Sequence, residues 1–342
     1  MKKSIGFLLL SVFILLAFSN IAFAYEIPKG DWIIALSNSY YGNTWRKQMV
    51  DSFTEAAEFS KGKGYIKDYI VVNGDGTQNQ QIAQMNSLIL KGVDAICINS
   101  ASPTALNGVI AKAHEANIKV LAFDSIATSP YAYKLDFNFV EHGESGAQYA
   151  VSKLNGKGNV IVVRGVSGSV PDQQMYQGHM NVLNKYPDIK IVATVIGEAC
   201  TTVTNLAITN ILSSLPHVDA VVTQGGGDAY GALQAFEASD RPMPIIIGDN
   251  SAEFINWWIE HKSEGYETFS ICSAPGVGGA AFWVALDILN GVPTPQEMSL
   301  TVTGITQDTV ENYADLKPGT LASPVFTNDW VMKNLIEKFR NK

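Results

Sequence analysis

Short apolar runs alternate with amphipathic segments along most of the chain. A first series of runs predicts strands at Asp31–Ser37, Asp68–Gly74, Val93–Asn99 and Ile118–Asp124. Between these runs, Trp45–Phe59 and Thr77–Lys91 carry apolar side chains at helical spacing. The pair Ser102 and Pro103 is typical of a helix start, because serine caps the first turn and proline fits within it.

The same pattern restarts in the second half of the sequence. It predicts strands at Asn159–Gly165, Ile189–Ile196, Val218–Gly225, Pro244–Asp249 and Thr268–Ser273. Helical segments separate them, including Ala229–Ser239 and Gly279–Leu289. Runs rich in valine and isoleucine that are joined by helices indicate parallel strands covered on both faces. Two such series predict an α/β fold with two doubly wound parallel-sheet lobes joined by a hinge.

The expected division of the chain follows from where each series begins and ends. We expect residues 25–138 and 276–305 to form the N-terminal lobe, and residues 139–275 and 306–342 to form the C-terminal lobe. The first crossing is expected near Lys134 to Gly143, and the helix at Gly279–Leu289 is expected to return to the first lobe because no new strand series follows it.

The first 24 residues have the layout of a secretory signal peptide. Lys2 and Lys3 form a basic start, Ile5–Phe18 is apolar, and the small residues Ala22 and Ala24 flank Phe23. A membrane anchor is the alternative, but this run is shorter than the roughly 20 residues that a span needs. The sequence therefore predicts export to the periplasm and removal of the signal peptide after Ala24.

Charge and cysteine content narrow the classes of function. The formal net charge of −8 becomes −10 without Lys2 and Lys3, which disfavours a nucleic-acid partner. The three cysteines do not form the larger, even set of a disulfide framework. Cys97 and Cys272 lie in apolar runs and are expected to be small buried residues. Neither cysteines nor histidines cluster at the spacing of a metal site, so no metal is expected.

Polar residues stand at the carboxyl ends of the predicted strands, where ligands bind in open parallel sheets. These positions are Asn38, Ser39, Asn99, Asp124, Arg164, Gln224, Asp249, Asn250 and Ser273. Each residue taken alone is also typical of a helix cap or a turn. Their recurrence in both lobes favours a binding cleft between the lobes.

An NAD-dependent dehydrogenase is the enzyme alternative. The loop at Gly225–Gly231 follows a strand and opens a helix, and Asp249 ends the next strand, where a ribose-binding carboxylate would lie. Tyr149 and Lys153 match the Tyr-x-x-x-Lys pair of short-chain dehydrogenases. In those enzymes, however, the glycine turn precedes the Tyr–Lys pair, whereas here it follows it. We therefore expect no catalytic residue and no cofactor.

Five segments carry a resemblance to a known family: IALSNSYYGNTW, GVDAICINSASPTAL, ANIKVLAFDS, PHVDAVVTQGGGDAYGALQAF and PIIIGDN. Over Asp31 to Pro293, the chain resembles the periplasmic sugar-binding proteins of ABC importers, in the group of the ribose- and galactose-binding proteins. The related repressors begin with a DNA-binding helix pair, where this chain has a signal peptide. The resemblance implies a monomer with two lobes that close on one ligand and deliver it to a membrane permease. A receptor for a chemotaxis or sensor-kinase partner is the alternative role.

The resemblance also implies a set of ligand-binding residues. They are Ser39, Asn43, Trp45, Arg46, Asn99, Asp124, Gln173, Asn250 and Ser273. The pattern departs from the family at Ser125 and Gln173, which stand where arginines are common, and at Asn250 and Gly225. Because an arginine fork grips hydroxyls or a carboxylate bidentately, its move to Arg46 implies a ligand of different shape. A monosaccharide, sugar acid, pentose, polyol or similar polyhydroxylated compound is expected.

Overall fold

The computed structural model of the protein describes residues 26–340. The predicted signal peptide, residues 1–24, and its removal after Ala24 lie outside the described residues. Within residues 26–340, none of the helices is both long and apolar enough to span a bilayer.

The first lobe is built on a six-stranded parallel sheet with the strand order β11-β5-β4-β3-β1-β2. Its strands are β1 (Ile33–Asn38), β2 (Asp68–Asn73), β3 (Ala95–Asn99), β4 (Lys119–Phe123), β5 (Ala132–Phe137) and β11 (Glu297–Leu300). Its helices are α1 (Thr44–Lys63), α2 (Gln78–Leu90), α3 (Asn107–Glu115) and α9 (Val277–Leu289). One apolar core lies between one face of the sheet and helices α1 and α9. Another lies between the opposite face and helices α2 and α3. Both faces of the sheet are therefore covered, as the buried strands predict.

The second lobe is built on a four-stranded parallel sheet with the order β7-β6-β8-β9. Its strands are β6 (Lys157–Arg164), β7 (Asp188–Ile196), β8 (Ala220–Val222) and β9 (Ile245–Ile246). Its helices are α4 (Phe139–Lys153), α5 (Val170–Leu183), α6 (Thr201–Leu212), α7 (Asp228–Glu237) and α8 (Ala252–Lys262). Helices α4 and α5 cover one face, and α6, α7 and α8 cover the other. The predicted fold class, two parallel-sheet α/β lobes, is confirmed.

The chain crosses between the lobes several times. It leaves the first sheet after β5 and enters α4 at Asn138, and it returns between β10 (Ser270–Cys272) and α9. Strand β12 (Thr303–Ile305) then pairs antiparallel with β10, although β11 lies in the first sheet. These neighbouring crossings form the base of the cleft between the lobes.

The end of the chain packs differently from the prediction for residues 306–342. The 3₁₀ helix Val310–Tyr313 contacts the second-lobe core, but α10 (Asn328–Val331) and the π-helical turn Met332–Glu337 contact the first lobe. The short helix α11 (Lys338–Arg340) continues this segment. Val331, Leu335 and Ile336 are buried in the core beside α9, so burial of their apolar side chains places this stretch on the first lobe.

Helix caps explain where several elements begin. Asn43 caps α1, since its side chain accepts a hydrogen bond from the Arg46 N–H, and Gly64 ends the helix with φ 75°. Ser169 caps α5 in the same way. The predicted helix start at Ser102 is wrong, because Ser102 Oγ accepts from Ala105 N in a preceding turn and α3 begins only at Asn107.

The three cysteines carry free thiols. Cys97 and Cys272 are buried, as their apolar surroundings predict, while Cys200 is partly exposed. Burial raises the pKa of both buried thiols above the ordinary value, so these side chains are uncharged packing groups.

Candidate ligand-binding site

A cavity lies between the two lobes, at the carboxyl ends of both parallel sheets. The first lobe contributes Asn43, Trp45, Arg46 and Asp124 to its lining, and Ser273 lies at a chain crossing. These five predicted site residues therefore share one cavity, although they come from three distant parts of the sequence. The position agrees with the general rule for ligands in open α/β sheets.

Arg46 and Asp124 form a buried, loosely spaced ion pair in this cavity. The Arg46 Nη2 lies 3.8 Å from the Asp124 Oδ2, and both side chains are more than nine-tenths buried. Burial lowers the pKa of Arg46 and raises that of Asp124, while their mutual attraction opposes both shifts. Among residues 26–340, the Arg46 Nη1 has no hydrogen-bond partner. The pair thus offers an unused donor and an acceptor side by side.

Two predicted site residues lie behind this pair rather than in the cavity lining. Asn99 Nδ2 donates a hydrogen bond of 2.9 Å to Asp124 Oδ2, and Ser39 Oγ lies 3.4 Å from Asn99 Oδ1. Asp124 itself has φ 57°, a left-handed conformation that non-glycine residues adopt rarely. The buried amide of Asn99 therefore holds the Asp124 carboxylate in place, and Ser39 contacts Asn99 rather than the cavity.

The Trp45 side chain forms an apolar wall of the cavity and also donates a hydrogen bond to a segment that crosses between the lobes. Its Nε1–H donates to the Ser273 carbonyl oxygen over 2.6 Å. The Arg46 guanidinium carbon lies 5.3 Å from the Trp45 ring centroid, within the range of a cation–π contact. Phe139 and Met175 add further apolar lining from α4 and α5. The cavity can therefore pack an apolar ligand face while its polar groups bind a hydroxylated rim.

The second lobe presents a carboxylate that the resemblance did not identify. Asp172 lines the cavity, and its two oxygens accept bonds of 3.0 and 2.5 Å from Arg164 Nε and Nη2. Gln224 Nε2 donates to the Asp172 carbonyl, and Gln224 Oε1 accepts from the Gly165 N–H over 2.9 Å. Arg164 also stacks 4.5 Å above the Tyr176 ring. This bonding fixes Asp172 in one orientation.

Glycines form the remaining second-lobe wall. Gly165, Gly225 and Gly226 line the cavity with the small residues Val166 and Ala199. A Cβ at Gly226 would lie 2.6 Å from the Ala199 Cβ, and this glycine has φ 73°, so the loop cannot take a larger residue without moving. This part of the wall therefore offers backbone groups rather than long side chains.

Two further predicted site residues, Gln173 and Asn250, do not line the cavity either. Gln173 is exposed, and its Nε2 lies 3.4 Å from the Gly168 carbonyl, because the phase of α5 turns Asp172 rather than Gln173 inwards. Asn250 is buried with φ 61°, and its Nδ2 donates to the Thr303 carbonyl over 2.9 Å. The backbone carbonyl of Asn250 accepts a hydrogen bond from the Ala322 N–H. Asn250 therefore links segments that lie where the chain crosses between the lobes.

The residues behind the dehydrogenase alternative are engaged elsewhere. The Asp249 carboxylate is buried and accepts from the N–H groups of Ala229 and Ser251, which leaves it no role at a ribose. Tyr149 stacks on Phe269, and Lys153 forms an ion pair with Glu267. Arg164 was among the predicted strand-end residues, whereas its partner Asp172 was missed. A strand-end arginine close to a helix start needs an acidic partner, and this signal could have identified Asp172.

Comparisons with known proteins agree with this geometry. A family model described as a periplasmic binding protein domain matches residues 34–293. The crystal structure of an ABC transporter solute binding protein from Thermobispora bispora has a TM-score of 0.86 and 37% identity, over 91% of this chain and 96% of that one. The ribose import binding protein of Bacillus subtilis is 24% identical over 87% of this chain and 97% of its own. A xylitol-binding protein of Mycolicibacterium smegmatis is 31% identical, over 51% of this chain and 50% of its own.

Proposed function

The chain belongs to the periplasmic binding protein domain family, and from that premise we propose that it captures a neutral polyhydroxylated small molecule, a monosaccharide or polyol, and delivers it to the permease of an ABC importer. The protein acts in the periplasm as a monomer, without catalysis, cofactor or nucleic acid. The observation that carries the proposal is the buried pair of Arg46 and Asp124, which leaves a donor unused in an inter-lobe cavity.

A ligand hydroxyl satisfies both members of this pair. Its oxygen accepts from Arg46 Nη1 and its hydrogen is donated to the Asp124 carboxylate. A buried polar group without a partner costs about 1–3 kcal/mol, so a cavity of this kind favours ligands with hydroxyls over apolar molecules of equal size. Trp45 and Phe139 stabilise the C–H face of such a ligand.

The charge balance favours a neutral ligand over a sugar acid. The charged side chains that line the cavity are Arg46, Asp124 and Asp172, one cation against two carboxylates. Arg164 compensates Asp172 from behind and is held there by both carboxylate oxygens. An anionic ligand would therefore meet a second buried negative charge without a free cation to balance it.

Binding requires contacts from both lobes. Arg46 and Asp124 belong to the first lobe, and Asp172 and Gln224 belong to the second. A ligand that contacts all four residues makes more bonds in the closed form than in the open form, so it shifts the equilibrium towards closure. The permease then receives a closed, loaded protein, and no covalent step is needed.

The relatives suggest which compounds to test first. One relative is named a xylitol-binding protein and another a ribose import binding protein. Five-carbon polyols and pentoses are therefore the first probes for this chain.

A thermal-shift screen of residues 25–342, followed by calorimetry, tests the proposal. The panel contains xylitol, D-ribose, D-xylose, myo-inositol and D-galacturonate. We expect at least one neutral compound to raise the melting temperature, since a ligand at 100 times its Kd adds about 2.7 kcal/mol of stability. Tighter binding of galacturonate than of every neutral compound would refute the charge argument. The absence of binding across a wider set of sugars and polyols would refute solute capture.

A further inference from the structure

A second recess lies outside the cleft, between α1 and the C-terminal segment 320–329. We call it the α1 groove; it has a volume of ≈ 970 Å³, and α9 contributes Trp283 to its lining. None of its lining residues lines the inter-lobe cavity. The α1 groove is therefore separate from the site described above.

The α1 groove is elongated. Gln48, Ser52, Glu55 and Phe59 line it from successive turns of α1. Because an α-helix rises 1.5 Å per residue, the separation of 11 positions between Gln48 and Phe59 spans about 16 Å. An extended peptide rises about 3.3 Å per residue, so roughly five residues fill this length. A monosaccharide-sized molecule would occupy only part of it.

Carboxylates border the α1 groove without opposing cations. Glu26, Asp51, Glu55 and Asp329 contribute to the lining, which contains no lysine, arginine or histidine. Within residues 26–340, none of these four carboxylates takes part in an ion pair. Four uncompensated negative charges along one recess attract a cationic partner and repel an acidic one.

Aromatic side chains also line the α1 groove. Phe59 and Trp283 meet edge to face with ring centroids 6.2 Å apart, and Tyr65 lies in the same lining. Phe59 is 54% exposed, although it is a large apolar residue. Lys63 Nζ lies 5.6 Å from the Phe59 ring centroid, outside the lining, and shows that this ring accepts a cation on one face. The recess therefore suits a partner that carries both cationic and apolar side chains.

Asn328 adds an unused acceptor to the lining. This side chain is only 6% exposed, and its Nδ2 donates to both oxygens of Asp287 over 3.0 Å. Its Oδ1 has no hydrogen-bond partner in the part of the chain that the structure describes. A buried acceptor without a donor is unfavourable, so a peptide N–H or a side-chain ammonium that reaches Asn328 Oδ1 is stabilised by the bond that it forms.

We propose that the α1 groove binds a short basic segment of another protein, in which lysine or arginine alternates with apolar residues. The basic side chains meet Asp51, Glu55 and Asp329, the apolar ones pack on Trp283 and Phe59, and an N–H group donates to Asn328. This site takes a peptide at the same time as the cleft takes its polyol, because the two share no residue.

Calorimetry on residues 25–342 tests the inference with a synthetic probe, the acetylated and amidated peptide of sequence LKFKLK. We expect it to bind with an affinity that falls at least tenfold between 20 and 300 mM salt, because exposed charges are screened. The matched peptide LEFELE is expected not to bind. Binding of both peptides alike, or of neither at millimolar concentration, would overturn the inference.

Paired variants locate the peptide. The change Asp51→Asn with Glu55→Gln removes two carboxylates of the α1 groove and is expected to weaken LKFKLK binding at least fivefold. The control Glu115→Gln with Asp188→Asn removes the same charge from exposed positions elsewhere and is expected to change it less than twofold. Equal effects would refute a defined groove site. If the peptide competes with a polyol, the peptide binds in the cleft and the proposed groove site is wrong. If benzyltrimethylammonium binds as tightly as the peptide, the α1 groove is a site for a small cation and not for a peptide.

Discussion

Nη2 of Arg46 and Oδ2 of Asp124 face each other across 3.8 Å, too far for a direct hydrogen bond and close enough for one ligand oxygen to contact both side chains. Asn99 holds Asp124 from behind, and the Asn43 side chain holds the Arg46 N–H at the start of α1. Both members of the pair are therefore positioned before a ligand arrives. Preorganisation of this kind lowers the entropy that binding would otherwise cost.

Replacement of Trp45 tests the apolar wall of the cavity. We expect Trp45→Ala to weaken binding of the tightest polyol at least tenfold, because it removes the ring from the ligand and the bond to the Ser273 carbonyl. Trp45→Phe keeps an aromatic face and is expected to lose less. Calorimetry measures both, and equal affinity of Trp45→Ala and wild type would contradict a role for the indole.

Asp172 and Gln173 offer a direct test of the helix phase in α5. Asp172→Asn is expected to weaken ligand binding at least tenfold, because it removes a charged acceptor from the lining and breaks the pairing with Arg164. Gln173→Ala is expected to change affinity less than twofold, since Gln173 is exposed. Titration calorimetry measures the ligand affinity of the two variants. A larger loss of affinity in Gln173→Ala than in Asp172→Asn would contradict this orientation of α5.

This pair of residues also shows where sequence reasoning loses accuracy. Periodicity predicted the two strand series, the strand-end rule predicted Asp124, and the family resemblance added Trp45 and Arg46 at the same edge of the first sheet. Neither the rule nor the resemblance gave the phase of α5, because one residue along a helix turns a side chain by 100°. A strand-end position likewise does not reveal that the Asn250 amide donates to the Thr303 carbonyl, 53 residues later.

The close contact between α4 and α5 supports the second-lobe wall. A Cβ added to Gly143 would lie 2.1 Å from the Met175 carbonyl oxygen, and one added to Gly178 would lie 2.2 Å from the Val140 carbonyl oxygen. We expect Gly143→Ala to destabilise the protein by about 3 kcal/mol, and to weaken ligand binding because α5 carries Asp172.

Gly108→Ala is the matched control for this helix contact. Gly108 lies in α3, where an added Cβ meets no atom within 4 Å. Because alanine favours a helix over glycine, this change is expected to stabilise the protein by up to about 1 kcal/mol. Urea unfolding measures both variants, and similar free energies of unfolding for the two would contradict the close helix contact.

Two buried imidazoles in the same contact predict a loss of stability in acid. Burial lowers the pKa of His142 to about 4 and that of His179 to about 3, and charge on His142 further disfavours charge on His179. The unfolded chain binds these protons near pH 6.5, so each histidine stabilises the folded protein above that pH and loses this contribution as the pH falls towards 4. Between pH 7.5 and 5, each contributes a loss of about 2 kcal/mol.

His142→Gln isolates this contribution from that of the carboxyl groups. Burial raises the pKa of Asp136 to about 7, which gives the opposite dependence, a stabilisation that is lost as the pH rises from about 4 to 7. We therefore compare the change in the free energy of unfolding between pH 7.5 and 5 in wild type and variant. The variant is expected to lose about 2 kcal/mol less than wild type, with the surface change His114→Gln as control. An equal loss in His142→Gln and wild type would exclude this role for His142.

The C-terminal stretch shows a second limit of prediction from sequence. Val331, Leu335 and Ile336 form a short apolar pattern that fits either lobe, and only their packing beside α9 decides between them. At the crossing expected near Lys134 to Gly143, the structure has the end of β5 and the start of α4, although the pattern of apolar runs did not predict β5. Local patterns thus predict many elements, while the partner of a terminal helix depends on the whole core.

A crystal structure of residues 25–342 with the tightest neutral compound of the panel shows whether solute binds between the lobes. We expect one ligand in the inter-lobe cavity, with a hydroxyl oxygen within about 3 Å of both Arg46 Nη1 and an Asp124 carboxylate oxygen. We also expect a ring or carbon face against Trp45. A ligand bound elsewhere, or in the cleft without contact to either Arg46 or Asp124, would contradict this expectation.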